Sequence, residues 1–202
     1  AARANVDQRR GRAGRLGPGV CYRLWDQAET RGLTPAPSPE IENADLSGLL
    51  LTLAEWGEHD PSNLNWLTPP APGRLKAARE DLIGLGAIDE TGALTAKGRA
   101  MTRLPLTPRL AALITGVEND RERRTAAEIA AVISERGMGG NSADLSERLS
   151  RFRNDGSGRA KKLRSQAERW GGSGRASGTP AEILAKGWPD MIARRRPGSD
   201  SA

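Results

Sequence analysis

The chain has 202 residues, of which 37% are hydrophobic and 28% charged, with a formal net charge of +6. That supports one or two small cores, and its apolar runs fall well short of the roughly 20 residues of a membrane-spanning helix. A single cysteine, Cys21, excludes an internal disulfide, and a single histidine, His59, excludes a histidine-rich metal site or a Ser-His-Asp triad built from this chain. His59 is expected on a surface loop, and Cys21 is expected to be buried as a packing residue in a reducing, cytoplasmic compartment. The charge is uneven: residues 31 to 119 carry 8 basic against 11 acidic side chains, whereas 120 to 202 carry 17 against 11. A basic terminal region can follow a phosphate backbone, and it can equally be a solvated helix face.

Residues 4 to 15 read as a helix containing Gln8-Arg9-Arg10-Gly11-Arg12-Ala13-Gly14-Arg15. Helical spacing stacks Gln8, Arg12 and Arg15 on one face. Two guanidinium groups converging there repel each other unless an anion joins them, and their planar donors suit a triphosphate. Gly11 and Gly14 each cost about 1 kcal/mol of helix stability relative to alanine, which predicts a close approach to that backbone. A basic, glycine-containing arm on nucleic acid is the alternative.

Gly19 to Trp25 reads as a buried strand holding Cys21, and Gln27 to Ser38, with Pro35, Pro37 and Pro39 alternating, as an extended linker. Ser38 is placed to cap a helix with Pro39 at its first position, running through Leu46, Leu50 and Leu53 to Trp56 before Gly57. A second helix spans about 72 to 85, with Gly86 after it. The pair Ala87-Ile88-Asp89 and Ala93-Leu94-Thr95 around Glu90-Thr91-Gly92 gives a hairpin. Helix, helix, hairpin is the layout of a winged helix.

Thr95 can cap a short helix to about Arg103, and Thr107-Pro108 starts another that buries Leu110, Leu113 and Ile114. The remainder reads as a helical bundle. Its stripes are Ala126, Ile129, Ala130 and Ile133; Leu145, Leu149 and Phe152; and Leu163, Ala167 and Trp170. Thr179-Pro180-Ala181-Glu182 has the capping-box pattern. Gly/Ser stretches at 137 to 142, 156 to 158 and 171 to 178 are connectors. The expected fold class is mainly α.

The string QRRGRAGR resembles motif VI of superfamily 2 helicases, and Gly19-Val20-Cys21-Tyr22-Arg23-Leu24-Trp25 resembles the strand that follows it in DEAH-type enzymes. Further matches are Pro39-Glu40-Ile41, Ala44-Asp45-Leu46-Ser47-Gly48-Leu49-Leu50-Leu51, Trp56-Gly57, Trp66-Leu67 before Pro69-Pro70, Leu85-Gly86-Ala87-Ile88-Asp89 through Gly92, Leu94-Thr95, Gly98-Arg99, Met101, Leu104-Pro105-Leu106 and Pro108-Arg109-Leu110. Over residues 1 to about 136 the chain is similar to the bacterial HrpB branch of the DEAH/RHA helicases. The resemblance implies that Arg12 and Arg15 are the arginines that reach the γ-phosphate. It makes Gln8 the residue that helps order the attacking water and phosphate, and gives Arg9 a supporting role.

The same resemblance makes residues 1 to 29 the C-terminal edge of a RecA-like α/β ATPase lobe, 30 to 38 a linker, 39 to 106 a winged-helix domain, and 107 to 202 a truncated, ratchet-like helical bundle. The chain contains no G-x-x-x-x-G-K-[ST] phosphate loop and no DEAH-like acidic box, so ATP and magnesium would be held by residues outside it. Motif VI at the start, no initiator Met and the Arg194-Arg195-Arg196-Pro197 end read as a piece of a longer polypeptide, inactive alone.

A ratchet-like bundle implies a single-stranded nucleic-acid channel, with RNA favoured over DNA. Arg151, Arg153, Lys161, Lys162 and Arg164 are then candidates for backbone contacts. Trp170 and Trp188 could stack bases, but their helical spacing favours burial. The rival reading is a non-enzymatic winged-helix binder of nucleic acid, against which the acidic central segment speaks.

Overall fold

The computed structural model describes residues 2 to 193, which form ten α-helices and no β-strand. The Arg194-Arg195-Arg196-Pro197 run and the end of the expected helical bundle lie outside the described residues. The described chain divides into two units: residues 1 to 44 with 67 to 70, and residues 45 to 66 with 71 onward.

In the first unit, helix α1 (Arg3–Ala13) has no side-chain cap; the amides of Arg3 and Ala4 instead donate to the carbonyls of Thr34 and Pro35 at 2.8 and 3.0 Å. Those bonds satisfy two of the free N–H groups that every helix start leaves. The helix stops two residues earlier than its basic pattern suggests, with Gly14 as C-cap, so Arg15 falls outside it. The expected strand over 19 to 25 does not form. Val20, Tyr22 and Leu24 are 74%, 84% and 94% exposed, and Cys21 is exposed rather than buried. An alternating apolar run becomes a strand only against a neighbour, and the described residues supply none.

The close backbone approach expected at Gly11 and Gly14 is found instead at Gly19, where a Cβ would sit 1.9 Å from the Ala13 carbonyl oxygen; nothing described lies within 4 Å of a Cβ at Gly11. The stretch read as a plain linker contains α2 (Gln27–Gly32). Asp26 caps it, accepting from the Glu29 amide at 2.8 Å, and the Trp25 indole donates to Thr30 Oγ1.

The helix expected from Pro39 to Trp56 does not run through: Glu40–Glu42 is a 3-10 turn of the first unit. In the second unit a fresh helix starts, α3 (Ser47–Glu55). The Asp45 carboxylate accepts from the Ser47 amide at 2.8 Å, an Asx turn that competes with helix continuation. Next come α4 (Pro72–Gly84), with Pro72 in its first turn, and Gly86 at φ +69°, a left-handed position that ends the helix.

The hairpin is reduced to one antiparallel bridge, Ile88 to Leu94. Its turn is held by Asp89, which accepts from Thr91 N, Thr91 Oγ1 and Ala93 N at 2.9, 2.6 and 3.0 Å. Those bonds, the Thr91 hydroxyl first, lower the Asp89 pKa. Thr95 Oγ1 caps α5 (Ala96–Thr102) by accepting from Gly98 N.

Helix α6 (Pro108–Thr115) is the wall shared by two cores. Ala111 and Ala112 close the winged-helix core with Leu51, Leu82, Leu85, Ile88 and Met101. Leu110, Leu113 and Ile114 enter the bundle core with Ile129, Leu149, Phe152 and Ile183. The bundle consists of α7 (Asp120–Ser134), α8 (Leu145–Asn154), α9 (Gly158–Gly171) and α10 (Pro180–Leu184), followed by a 3-10 turn, Pro189–Met191. Thr179 precedes α10 but makes no side-chain cap bond, so the expected capping box is absent. That stretch is tied down instead by Thr125 Oγ1, which donates to the Ser177 carbonyl at 2.6 Å.

Candidate functional site

Gln8 and Arg12 lie one turn apart on α1, both exposed. Arg15 is exposed past the Gly14 cap, so helical spacing does not carry it onto their face. Among neighbouring arginines, Arg10 and Arg23 share the Asp7 carboxylate at 3.8 and 3.7 Å, and Arg9 makes no ion pair among the described residues. Neither Arg12 nor Arg15 has a hydrogen bond or ion pair among the described residues. Of the three expected site residues, the helix therefore brings together Gln8 and Arg12 but not Arg15.

The basic candidates of the bundle separate by geometry. Arg164 Nη1 donates to the carbonyls of Phe152 and Asp155 at 2.7 and 2.8 Å, and its guanidinium lies 5.8 Å from the Phe152 ring centroid. It therefore closes the C-terminal end of α8. Arg153 Nε donates at 2.8 Å to Glu128, a carboxylate on α7 that is only 4% exposed and also receives Arg124. Arg151 pairs with Glu147 one turn earlier. Lys161 and Lys162 are exposed on α9. Trp170 and Trp188 are half-buried and pack against the bundle core, and His59 is on an exposed loop.

Three arginines with structural placement carry no local signal in the sequence. Arg124 donates to Gly172 O at 3.1 Å, and Arg148 Nη2 donates to the carbonyls of Val132 and Met138, both at 3.1 Å. Arg109 meets Asp81, Asp190 and the Gly187 carbonyl. Several basic side chains thus serve as donors to carbonyls at helix ends rather than as a free basic face. No helix among the described residues is long and apolar enough to cross a membrane.

Residues 78–106 match the helicase-associated domain (HA2), winged-helix family. The chain is 40% identical over 195 residues, 96% of its length, to the ATP-dependent RNA helicase HrpB of Escherichia coli strain K12. It is 42% identical over 119 residues to the pre-mRNA-splicing factor ATP-dependent RNA helicase prp22 of Schizosaccharomyces pombe, covering 58% of this chain and 10% of that one. A crystal structure of the Escherichia coli DEAH/RHA helicase HrpB superposes with a TM-score of 0.82 at 37% identity, covering 98% of this chain and 25% of that one. A second, of the Escherichia coli DExH-box NTPase HrpB, gives a TM-score of 0.77. The chain spans 24% of the length of the first of these relatives. With both the sequence identity and the superposition running over nearly all 202 residues, the chain belongs to the HrpB-like DEAH/RHA helicase family.

Proposed function

We propose that these residues are the C-terminal part of an ATP-dependent RNA helicase. In this reading residues 1 to 29 are the edge of its second ATPase lobe, 39 to 106 its winged helix, and 107 to 202 a ratchet-like helical domain. Arg12 and Arg15 reach the γ-phosphate when the lobes close, stabilising charge as the phosphoryl group departs, and Gln8 helps order the attacking water. ATP and magnesium are gripped by the phosphate loop and acidic box of the complete protein, which works in the cytoplasm on single-stranded RNA. Lobe movement advances that strand past the accessory domains, with Lys161 and Lys162 the candidates most open to phosphate.

The observation that supports this most directly is the pair of exposed guanidinium groups at Arg12 and Arg15 with no partner among the described residues, inside a string that resembles motif VI. Arg12→Ala or Arg15→Ala in the complete enzyme should lower kcat for RNA-stimulated ATP hydrolysis by about a thousandfold, the scale of other arginine fingers. Near-normal turnover in both variants would refute the assignment. Comparing RNA with DNA at fixed salt tests the substrate class.

A further inference from the structure

Arg109, in the first turn of α6, has a side chain only 19% exposed. Its guanidinium answers acceptors far apart in the sequence. Nη1 and Nη2 meet the two oxygens of Asp190 at 2.6 and 3.2 Å. Nη2 also donates to Asp81 Oδ1 at 2.9 Å, and Nη1 to the Gly187 carbonyl at 3.2 Å. Asp81 belongs to α4 of the winged helix, 28 residues before Arg109; Asp190 lies 81 residues after it, in the turn that follows α10.

The backbone is fitted to the same junction. A Cβ at Gly187 would come within 2.5 Å of the Arg109 carbonyl oxygen and 2.8 Å of Leu113 Cδ2. An isolated exposed pair contributes little, because each side chain loses rotamer freedom and solvent screens the charges. Here one largely desolvated cation bridges two carboxylates from separate segments, each within 3.2 Å of it. The fork geometry of a guanidinium reaches both, whereas a lysine ammonium is a single point charge on a shorter reach.

We propose that Arg109 is a clamp that fastens α4 of the winged helix to the segment after α10, so that these two parts of the unit open and close as one. The proposal is independent of the helicase reading, since it concerns motion within this unit and not ATP or RNA.

Hydrogen exchange of individual backbone amides in the complete protein tests it. Asp81→Asn, although it lies on α4, should raise exchange at the amides of 186 to 188, 190 and 191 about tenfold through loss of a charge-assisted bond. Arg109→Lys should do the same despite keeping its charge. Lys76→Gln, which removes an exposed pair with Glu80 on the same helix, should leave those amides unchanged. Reciprocally, Asp190→Asn should speed exchange at 82 to 85, and this arm serves if Asp81→Asn loses protection throughout the chain. Effects confined to the mutated element in both Asp81→Asn and Asp190→Asn would overturn the clamp.

Discussion

Gly98 sits inside α5 with its α-carbon against the hairpin, and Gly98→Ala isolates the cost of separating those two elements. In an open helix the change stabilises by up to about 1 kcal/mol. Here the new Cβ would lie 2.0 Å from the Ala87 carbonyl oxygen, 2.9 Å from its carbon and 2.8 Å from Leu94 Cδ1. The Ala87 oxygen cannot simply retreat, because it accepts from Thr95 N at 3.0 Å and Thr95 Oγ1 at 3.1 Å, and the latter hydroxyl caps α5. Moving α5 outward also uncovers Met101, which is 1% exposed. Weakening one or two hydrogen bonds costs about 1 to 3 kcal/mol, and overpacking a similar amount, so the net destabilisation should be about 2 to 4 kcal/mol. Thermal unfolding should show a midpoint lowered by roughly 4 to 16 °C. Gly73→Ala in α4, where nothing lies within 4 Å of the new Cβ, should leave the midpoint unchanged or raise it. A Gly98→Ala protein at least as stable as the parent would refute the reasoning, since its propensity gain would then have met no opposing contact.

Phe152→Ala removes a side chain that is 0% exposed in the bundle core and lies beneath Arg164, and should cost about 3 to 5 kcal/mol in denaturant unfolding. The Arg109 side chain, hydrogen-bonded to Asp190, holds that carboxyl below its ordinary 3.8. The folded state therefore binds the Asp190 proton less readily than the unfolded state. The stabilisation is complete above the ordinary value and is lost as pH falls through the depressed one. Asp190→Asn should flatten that part of the acid-unfolding profile, and an unchanged acid limb in the variant would show that the pair contributes nothing.

The parts of this fold legible from sequence are those governed by a local rule. Thr95 capping α5, Pro108 opening α6, Gly86 ending α4 and the leucine and alanine stripes of α7, α8 and α9 each depend on residues within one or two turns. Ile133, expected in the α7 stripe, is instead 38% exposed. Structure departs from sequence pattern where two local rules compete. Hydrophobic periodicity runs straight through Asn43-Ala44-Asp45-Leu46, but the Asp45 side chain takes the Ser47 amide and restarts the helix there. The three prolines suggested a bare linker, although Asp26 and Glu29 stand at cap and third position of α2. For Arg109, Arg148 and Arg164 the sequence shows the cation but not its acceptor. Their acceptors are backbone carbonyls or carboxylates fixed by tertiary packing, up to 81 residues away. The candidate site divides along the same line, since the motif string names Gln8, Arg12 and Arg15 while the turn at Gly14 decides that Arg15 does not share their helix face.

The segment from Gly19 to Trp25 carries the same lesson from the opposite direction. Val20, Tyr22 and Leu24 alternate as a strand requires, yet all three are solvent-exposed. Leaving three large apolar side chains in water forfeits roughly 1.5 to 3 kcal/mol apiece relative to burial, and the unpaired backbone gains no ladder bonds in return. A single strand has no way to recover that energy within itself, because its hydrogen-bonding groups point sideways to a neighbour rather than along its own chain. Helix α1, whose bonds are internal, forms beside it without difficulty. The contrast explains why α1 persists while the strand-like pattern beside it, at 19 to 25, lies open. Under the proposed function, the neighbour it requires is the sheet of the ATPase lobe, and burial of Tyr22 and Leu24 there would hold α1, and with it Arg12, against the nucleotide cleft.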